Sequence, residues 1–324
     1  MTPIVSVQDL YVRFTGGRTV YALNGVSFSV NEGEVLGLIG ESGSGKSVTL
    51  RALMRLLPAH KTVVEGSLTA GGRDVMTLNP DELRALRGRV VSMIFQEPML
   101  ALDPVYTIGQ QIAETVAAHE NVGGAEGRKR ALEMLEHVRI PSAKRRLDAF
   151  PHELSGGMRQ RAMIALALSC RPKVLLADEP TTALDNTVQI QILLLLRELQ
   201  RELGMAVIFV THNIGAAAEI CDRVAVMYAG RIVETGTMSQ IVKSPSHPYT
   251  RGLLACSVHG SGRERHLPSI PGSPPLLDKV IDGCAFAPRC ASVREACLSG
   301  EIPVIAASNG QSSRCVATLR DAAA

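Results

Sequence analysis

Gly40-Glu41-Ser42-Gly43-Ser44-Gly45-Lys46-Ser47 is the stretch that decides how this chain is read. It matches G-x-x-x-x-G-K-[ST], a pattern whose backbone N–H groups turn inward around a polyphosphate. Gly43 and Gly45 can take the positive φ angles such a loop needs at no steric cost. Lys46 is expected to reach the β- and γ-phosphates, and the Ser47 hydroxyl to ligate Mg²⁺. The flanks agree with this. Residues 34–39 read as a short buried strand. Residues 48–57 read as a helix opening at Val48 and closed by Pro58, with a partial positive charge at its start. The alternative is a Gly/Ser-rich turn that fits by accident, and the strand and helix on either side weigh against it.

Composition bounds what such a loop can serve. The chain has 324 residues, 46% hydrophobic and 20% charged, an ordinary globular balance for one large or two modest domains. Aromatic residues make up 3% and Trp is absent, which argues against a stacking platform for single-stranded nucleic acid. A net charge of +3 gives no reason to invoke a nucleic-acid partner. No run of about 18 apolar residues offers a membrane span. The first residues lack the basic start and apolar block of a signal peptide, so a cytosolic location is expected. There, seven cysteines do not suggest a disulfide framework.

Upstream of the loop, residues 4–30 alternate apolar and polar positions, which predicts strands turning at 15–18. Phe14, just before that turn, is either a base-stacking aromatic or an ordinary core or edge residue. Downstream, residues 64–97 hold short strands around Gly71-Gly72, a helix from about Pro80 and a buried strand over 90–95. Gln96 follows at the strand tip, as a metal or water contact or as a plain loop residue. Residues 99–165 read mainly as helices, a helical subdomain (about 98–165) inserted in an α/β core. Ser155 caps a helix over 156–169, and Gly156 and Gly157 leave N–H groups there open to an anion. The apolar strand over 173–178 ends in Asp178 and Glu179. Carboxylates at that edge of a parallel sheet sit where such sheets bind ligands, Asp178 suited to Mg²⁺ and Glu179 to polarising a water. His212 ends a further buried strand over 205–210, with a structural or a functional role equally open. Residues 223–234 read as a hairpin turning at Ala229-Gly230. Beyond Lys243, residues 244–283 are rich in Pro, Ser and Gly and read as a boundary and a partly extended tail.

Taken together, these pieces resemble the ATP-binding-cassette (ABC) ATPases. The loop at 40–47, Gln96, Leu154-Ser155-Gly156-Gly157, Asp178-Glu179, Ala183-Leu184-Asp185 and His212 stand in that family's order and spacing, with Phe14 at its base-stacking position. The resemblance implies a P-loop NTPase cassette over 1–243, with an N-terminal antiparallel β subdomain and the inserted helices. It implies ATP and Mg²⁺ at Phe14, Gly40, Ser42, Gly43, Ser44, Gly45, Lys46, Ser47, Val48, Gln96 and Asp178. It makes Glu179 the general base, Gln96 a Mg²⁺ and water sensor coupled to membrane subunits, and His212 a γ-phosphate switch. It also implies a dimer in which Ser155, Gly156 and Gly157 of one subunit close over the partner's ATP.

The segment 246–254, with His247-Pro248-Tyr249-Thr250, is similar to the dipeptide/oligopeptide importer ATPases, as are 270–275 and 283–290. The match is nearest their D-type subunits. That implies two transmembrane permease subunits, a second and different ATPase, an extracytoplasmic peptide-binding protein, and a peripheral place on the cytoplasmic face of the inner membrane. Importers of nickel chelates, opines or glutathione fit the same sequence, because other subunits choose the substrate. A soluble ABC protein of DNA repair or translation fits less well, since the chain has no long heptad insertion and no second cassette. Cys284, Cys290, Cys297 and Cys315 in the region 244–324 are spaced C-x5-C-x6-C-x17-C. Four thiolates suit a [4Fe–4S] cluster or a Zn²⁺, or remain unligated. Some members of the resembling subfamily carry a [4Fe–4S] cluster on a similar cysteine set, which makes the cluster the expected occupant.

Overall fold

Strand β3 (Val35–Ile39) is buried along its whole length and feeds the phosphate loop directly into helix α1 (Lys46–Leu53). The computed structural model describes residues 2–182, 184–258 and 269–317. Ala183 and parts of the C-terminal region lie outside them. The chain divides into two compact units. One takes the N-terminal residues up to Val5, then 31–34 and 70–209; the other takes 6–30, 35–69 and the chain from Val210 on.

In this second unit, β1 (Val5–Phe14) and β2 (Val20–Val30) are the neighbouring strands that the alternation predicts, and β4 (Thr62–Ala70) flanks β1 on its other side. Helix α1 is shorter than the sequence predicts. It stops at Leu53, ahead of the expected end at 57. Arg55 takes a left-handed φ of 46°, and the Leu56 and Arg55 amides donate back to Arg51 O (2.8 Å) and Ala52 O (2.9 Å). This is a Schellman closure with arginine where glycine is usual, so Pro58 is not what ends the helix.

The same unit continues with α9 (Ile214–Ile220), β9 (Arg223–Tyr228) and β10 (Arg231–Thr237). β9 runs parallel to β3 and antiparallel to β10, turning through Ala229 and Gly230. Both turn residues have positive φ, 49° and 75°, the requirement of a tight type I′ hairpin. Helices α10 (Met238–Lys243) and α11 (Pro248–Val258) follow. The composition of 244–283 predicts a partly extended tail. Instead Pro248 occupies the first helical position, where a missing N–H costs nothing. Further on, β11 (Ile305–Ala306) and β12 (Ser312–Ser313) extend the order to β11-β12-β10-β9-β3.

The first unit holds β5 (Arg73–Asp74), α2 (Pro80–Arg89), β6 (Val91–Ile94) and α3 (Pro98–Ala101). Helices α4 (Ile108–Glu120), α5 (Gly124–His137), α6 (Ala143–Arg146) and α7 (Gly156–Leu168) come next. Strand β7 (Val174–Asp178), α8 (Asn186–Leu203) and most of β8 (Ala206–Thr211) complete it. β6 and β7 pair in parallel, Val91 opposite Val174 through Ile94 opposite Ala177. Every residue of β7 and β8 is buried, as parallel strands covered on both faces require. Asn79 with Glu82 and Thr107 with Gln110 make capping boxes that fix where α2 and α4 begin. The helices α4, α5 and α7 pack on one another.

Candidate nucleotide site

The phosphate loop bends as its glycines allow. Gly43 has φ 78° and Gly45, the residue before α1, has φ 104°. Lys46 is buried, 4% exposed, and its ammonium donates to Gly40 O at 2.7 Å and Glu41 O at 2.9 Å. The loop is thus curled around its own cation. Ser44 is buried, Ser42 and Gly43 are exposed, and Ser47 and Val48 are half-buried at the head of α1. The Gly230 amide of the β9–β10 turn donates to Ser44 O (3.0 Å), which ties the hairpin to the loop. Gly40 has no room for a side chain: a Cβ there would lie 2.2 Å from the Met227 carbonyl oxygen on β9. Phe14 ends β1 with its ring half-buried, and His212 lies exposed just beyond β8.

The first unit carries the remaining expected residues. Asp178 ends β7 with 3% exposure. Glu179 turns out of the strand in the left-handed region, at φ 46°. A non-glycine residue there costs on the order of 1 kcal/mol, and such strain concentrates at functional positions. Its carboxylate accepts from the Thr182 hydroxyl at 2.8 Å, which fixes the rotamer. Ser155 caps α7, accepting from the Met158 amide at 3.4 Å, and Ser155 and Gly156 are exposed. Gln96 and Gly156 line one cavity of about 340 Å³, with Arg159, Gln160, Pro180 and Thr182. Sequence patterns do not single out Gln160. It is 2% exposed, and its Nε2 has no hydrogen-bond partner among the described residues. Its one legible signal is its place three residues after the two glycines.

Cys284, Cys290, Cys297 and Cys315 line a single small cavity with His247 and Phe286. Burial, above all, pushes the Cys284 thiol up, and the other three cysteines add to it. His247 Nδ1 accepts from the Tyr249 amide at 3.1 Å. Burial first, and then Arg251, push its imidazole down to about 4, so it is neutral. The cysteines gather, as a shared ligand set requires, but the ligand set itself is not formed. Among the described residues no group of three or more His, Cys, Asp or Glu is placed to hold a metal ion. The cavity, about 20 Å³, has room for about one water, less than a [4Fe–4S] cluster needs. None of the four cysteines forms a disulfide among the described residues.

No helix among the described residues is long and apolar enough to cross a membrane. Residues 23–182 match the family described as "ABC transporter", and residues 233–297 match "Oligopeptide/dipeptide transporter, C-terminal region". The chain is 49% identical to the oligopeptide transport ATP-binding protein OppD of Haemophilus influenzae, over 92% of each chain. It is 50% identical to a probable peptide ABC transporter ATP-binding protein, y4tR, of Sinorhizobium fredii, over 89% of this chain and 87% of that one. A putative peptide import ATP-binding protein of Brucella abortus, BAB2_1052, is 47% identical over 97% of this chain and 94% of its own. Among solved structures, the ATP-binding cassette MJ0796, a dimer in a post-hydrolysis state bound to ADP and Pi, superposes with a TM-score of 0.65 at 32% identity. It covers 72% of this chain and 98% of its own. The cbiO1 subunit of Clostridium perfringens gives a TM-score of 0.65 at 28% identity, over 75% of this chain and 92% of that one. With the cassette fold, the ordered motifs and this similarity over nine-tenths of the sequence, the chain belongs to the ATP-binding proteins of the oligopeptide/dipeptide ABC transporters.

Proposed function

We propose that this chain hydrolyses ATP to drive uptake of di- or oligopeptides. The observation that carries the reading is a joint one: a complete cassette is followed by the C-terminal region that peptide transporters carry. The names of its relatives point the same way. The chain would work at the cytoplasmic face of the inner membrane, against two permease subunits and beside a second, different ATPase. An extracytoplasmic protein would deliver the peptide. Ser155, Gly156 and Gly157, at the start of α7, suit closure over a nucleotide held by that second subunit.

The part given to each residue is the one that its likeness to the cassette ATPases implies. The loop amides and Lys46 hold the β- and γ-phosphates. Ser47, Gln96 and Asp178 are the residues that would hold Mg²⁺, which supplies positive charge to the phosphate oxygens. Glu179, held by Thr182, takes a proton from the water whose oxygen attacks the γ-phosphorus, and ADP departs. His212 contacts the γ-phosphate, and Phe14 stacks on the base. For Cys284, Cys290, Cys297 and Cys315 we keep a [4Fe–4S] cluster, with Zn²⁺ as the alternative, as the finer reading. Four soft donors around one cavity support it, and binding would require them to move. Iron and acid-labile sulfide measured on anaerobically purified protein test the cluster, and zero for both removes it.

Glu179→Gln tests the catalytic assignment. It should bind ATP within about twofold of wild type and lose turnover by ~10²–10⁴-fold. Wild-type turnover in this variant would take the base role away from Glu179.

A further inference from the structure

Arg289 stands one residue before Cys290, yet its side chain reaches Glu41, the second residue of the phosphate loop. The contact is a fork: Nη1 donates to Glu41 Oε2 at 2.8 Å and Nη2 to Glu41 Oε1 at 3.1 Å. The Arg289 side chain is only 5% exposed. Its remaining N–H groups are also placed, Nε on Pro271 O (2.8 Å), Nη1 on Tyr228 Oη (3.2 Å) and Nη2 on Ile270 O (3.3 Å). The guanidinium carbon lies 5.8 Å from the ring centroids of both Tyr228 and Phe286. A guanidinium with all its donors used, packed between two rings, has one geometry.

Glu41 is fixed from two other directions. Its amide donates to Tyr249 Oη at 2.8 Å, and its carbonyl accepts from the Lys46 ammonium at 2.9 Å. Tyr249 is fully buried on α11 and packs on Tyr228 and Phe286, at centroid distances of 4.6 and 5.4 Å. Phe286 sits two residues after Cys284, in the turn where the Ala287 amide donates to Cys284 O and the Cys290 amide to Ala287 O. The segment between two of the clustered cysteines is therefore the mount that presents Arg289 to the loop.

From this geometry we infer that Arg289 and Tyr249 are positioning residues for ATP binding, acting through Glu41, so that the C-terminal region is a working part of the phosphate loop. Two effects combine. A backbone cradle binds an anion well only if it is held in shape beforehand. And a carboxylate within the cradle opposes a polyphosphate unless a cation cancels it. Arg289 does both for Glu41. The inference rests on the nucleotide site proposed above.

The test uses the full-length chain and MgATP. Arg289→Ala should raise the Kd and KM for MgATP about tenfold and leave kcat within about twofold, because the interaction acts in binding and not in the chemical step. Glu41→Gln added to Arg289→Ala should recover at least about threefold of that loss, since it removes the uncancelled charge. A purely structural role for Arg289 gives no such rescue. Tyr249→Phe, which keeps the ring and removes the acceptor of the Glu41 amide, should raise the Kd about threefold with kcat unchanged. It stands in if Arg289→Ala does not fold. Binding within twofold of wild type in folded Arg289→Ala or in Tyr249→Phe overturns the inference, as does a double variant no better than the single. Lys46→Ala separates the two readings. If it binds MgATP like wild type, the nucleotide site is misplaced; if it loses binding and the clamp variants do not, only the clamp is wrong.

Discussion

Gly40 is held to glycine by a close approach and not by a positive φ angle. Gly43 and Gly45 are glycine because of their φ angles, 78° and 104°, and that reason is readable from the loop pattern. Gly40 is glycine because β9 passes so close that a Cβ would meet the Met227 carbonyl oxygen, a contact across almost two hundred residues that no local pattern announces. Gly40→Ala must push either the loop or the strand. The expected cost is ~1–3 kcal/mol of stability, with weaker MgATP binding. A denaturation midpoint and Kd equal to wild type would show that the strand yields without effect. The fork between Glu41 and Arg289 is hidden in the sequence for the same reason, since its partners are 248 positions apart. By contrast, the placement of Asp178 and Glu179 is legible, because two acids closing an apolar run are read directly as the end of a buried parallel strand. The left-handed turn that swings Glu179 out of the strand is not, because glutamate has no preference for it.

At the scale of elements, periodicity locates the strands and helices well and misjudges their ends. Proline is a strong stop, so α1 reads as running to Pro58, whereas backbone geometry at Arg55 ends it first. α11 is lost among prolines and serines, because composition does not separate a proline that breaks a helix from one that starts it. β12 is too short to carry a period, and only its pairing with neighbouring strands such as β10 makes it a strand. One buried side chain holds this C-terminal arrangement to β10. Glu234 is 1% exposed and accepts from the Ser246 amide (2.6 Å), the His247 amide (2.8 Å) and Gln311 Nε2 (2.7 Å). A buried carboxylate with three donors is well satisfied, and the donors depend on it equally. Glu234→Ala should therefore cost about 3 kcal/mol, read from the chemical denaturation midpoint, with Glu234→Gln milder because it keeps one acceptor oxygen. A loss below about 0.5 kcal/mol would mean that water replaces the carboxylate freely.

At the scale of the whole molecule, the order of motifs identifies the cassette without any coordinates, because one fold carries the same few groups at the same places along the chain. The sequence does not show how those groups are shared out, the phosphate loop and His212 in one compact unit, Gln96, Ser155 and Glu179 in the other. Nor does it show what surrounds the C-terminal cysteines. The four thiols come to one place, but the distances and the room around them are set by packing that no spacing rule contains. The chain's activity also belongs to an assembly, since in this reading the peptide is bound and carried by other subunits. The most direct measurement is therefore ATP hydrolysis by the chain purified with its membrane subunits in lipid, with and without peptide and the extracytoplasmic binding protein. Turnover should rise severalfold with peptide, and a complex carrying Glu179→Gln should still bind MgATP and show no such rise. Hydrolysis that ignores peptide, or a response that survives Glu179→Gln, would contradict the proposed function.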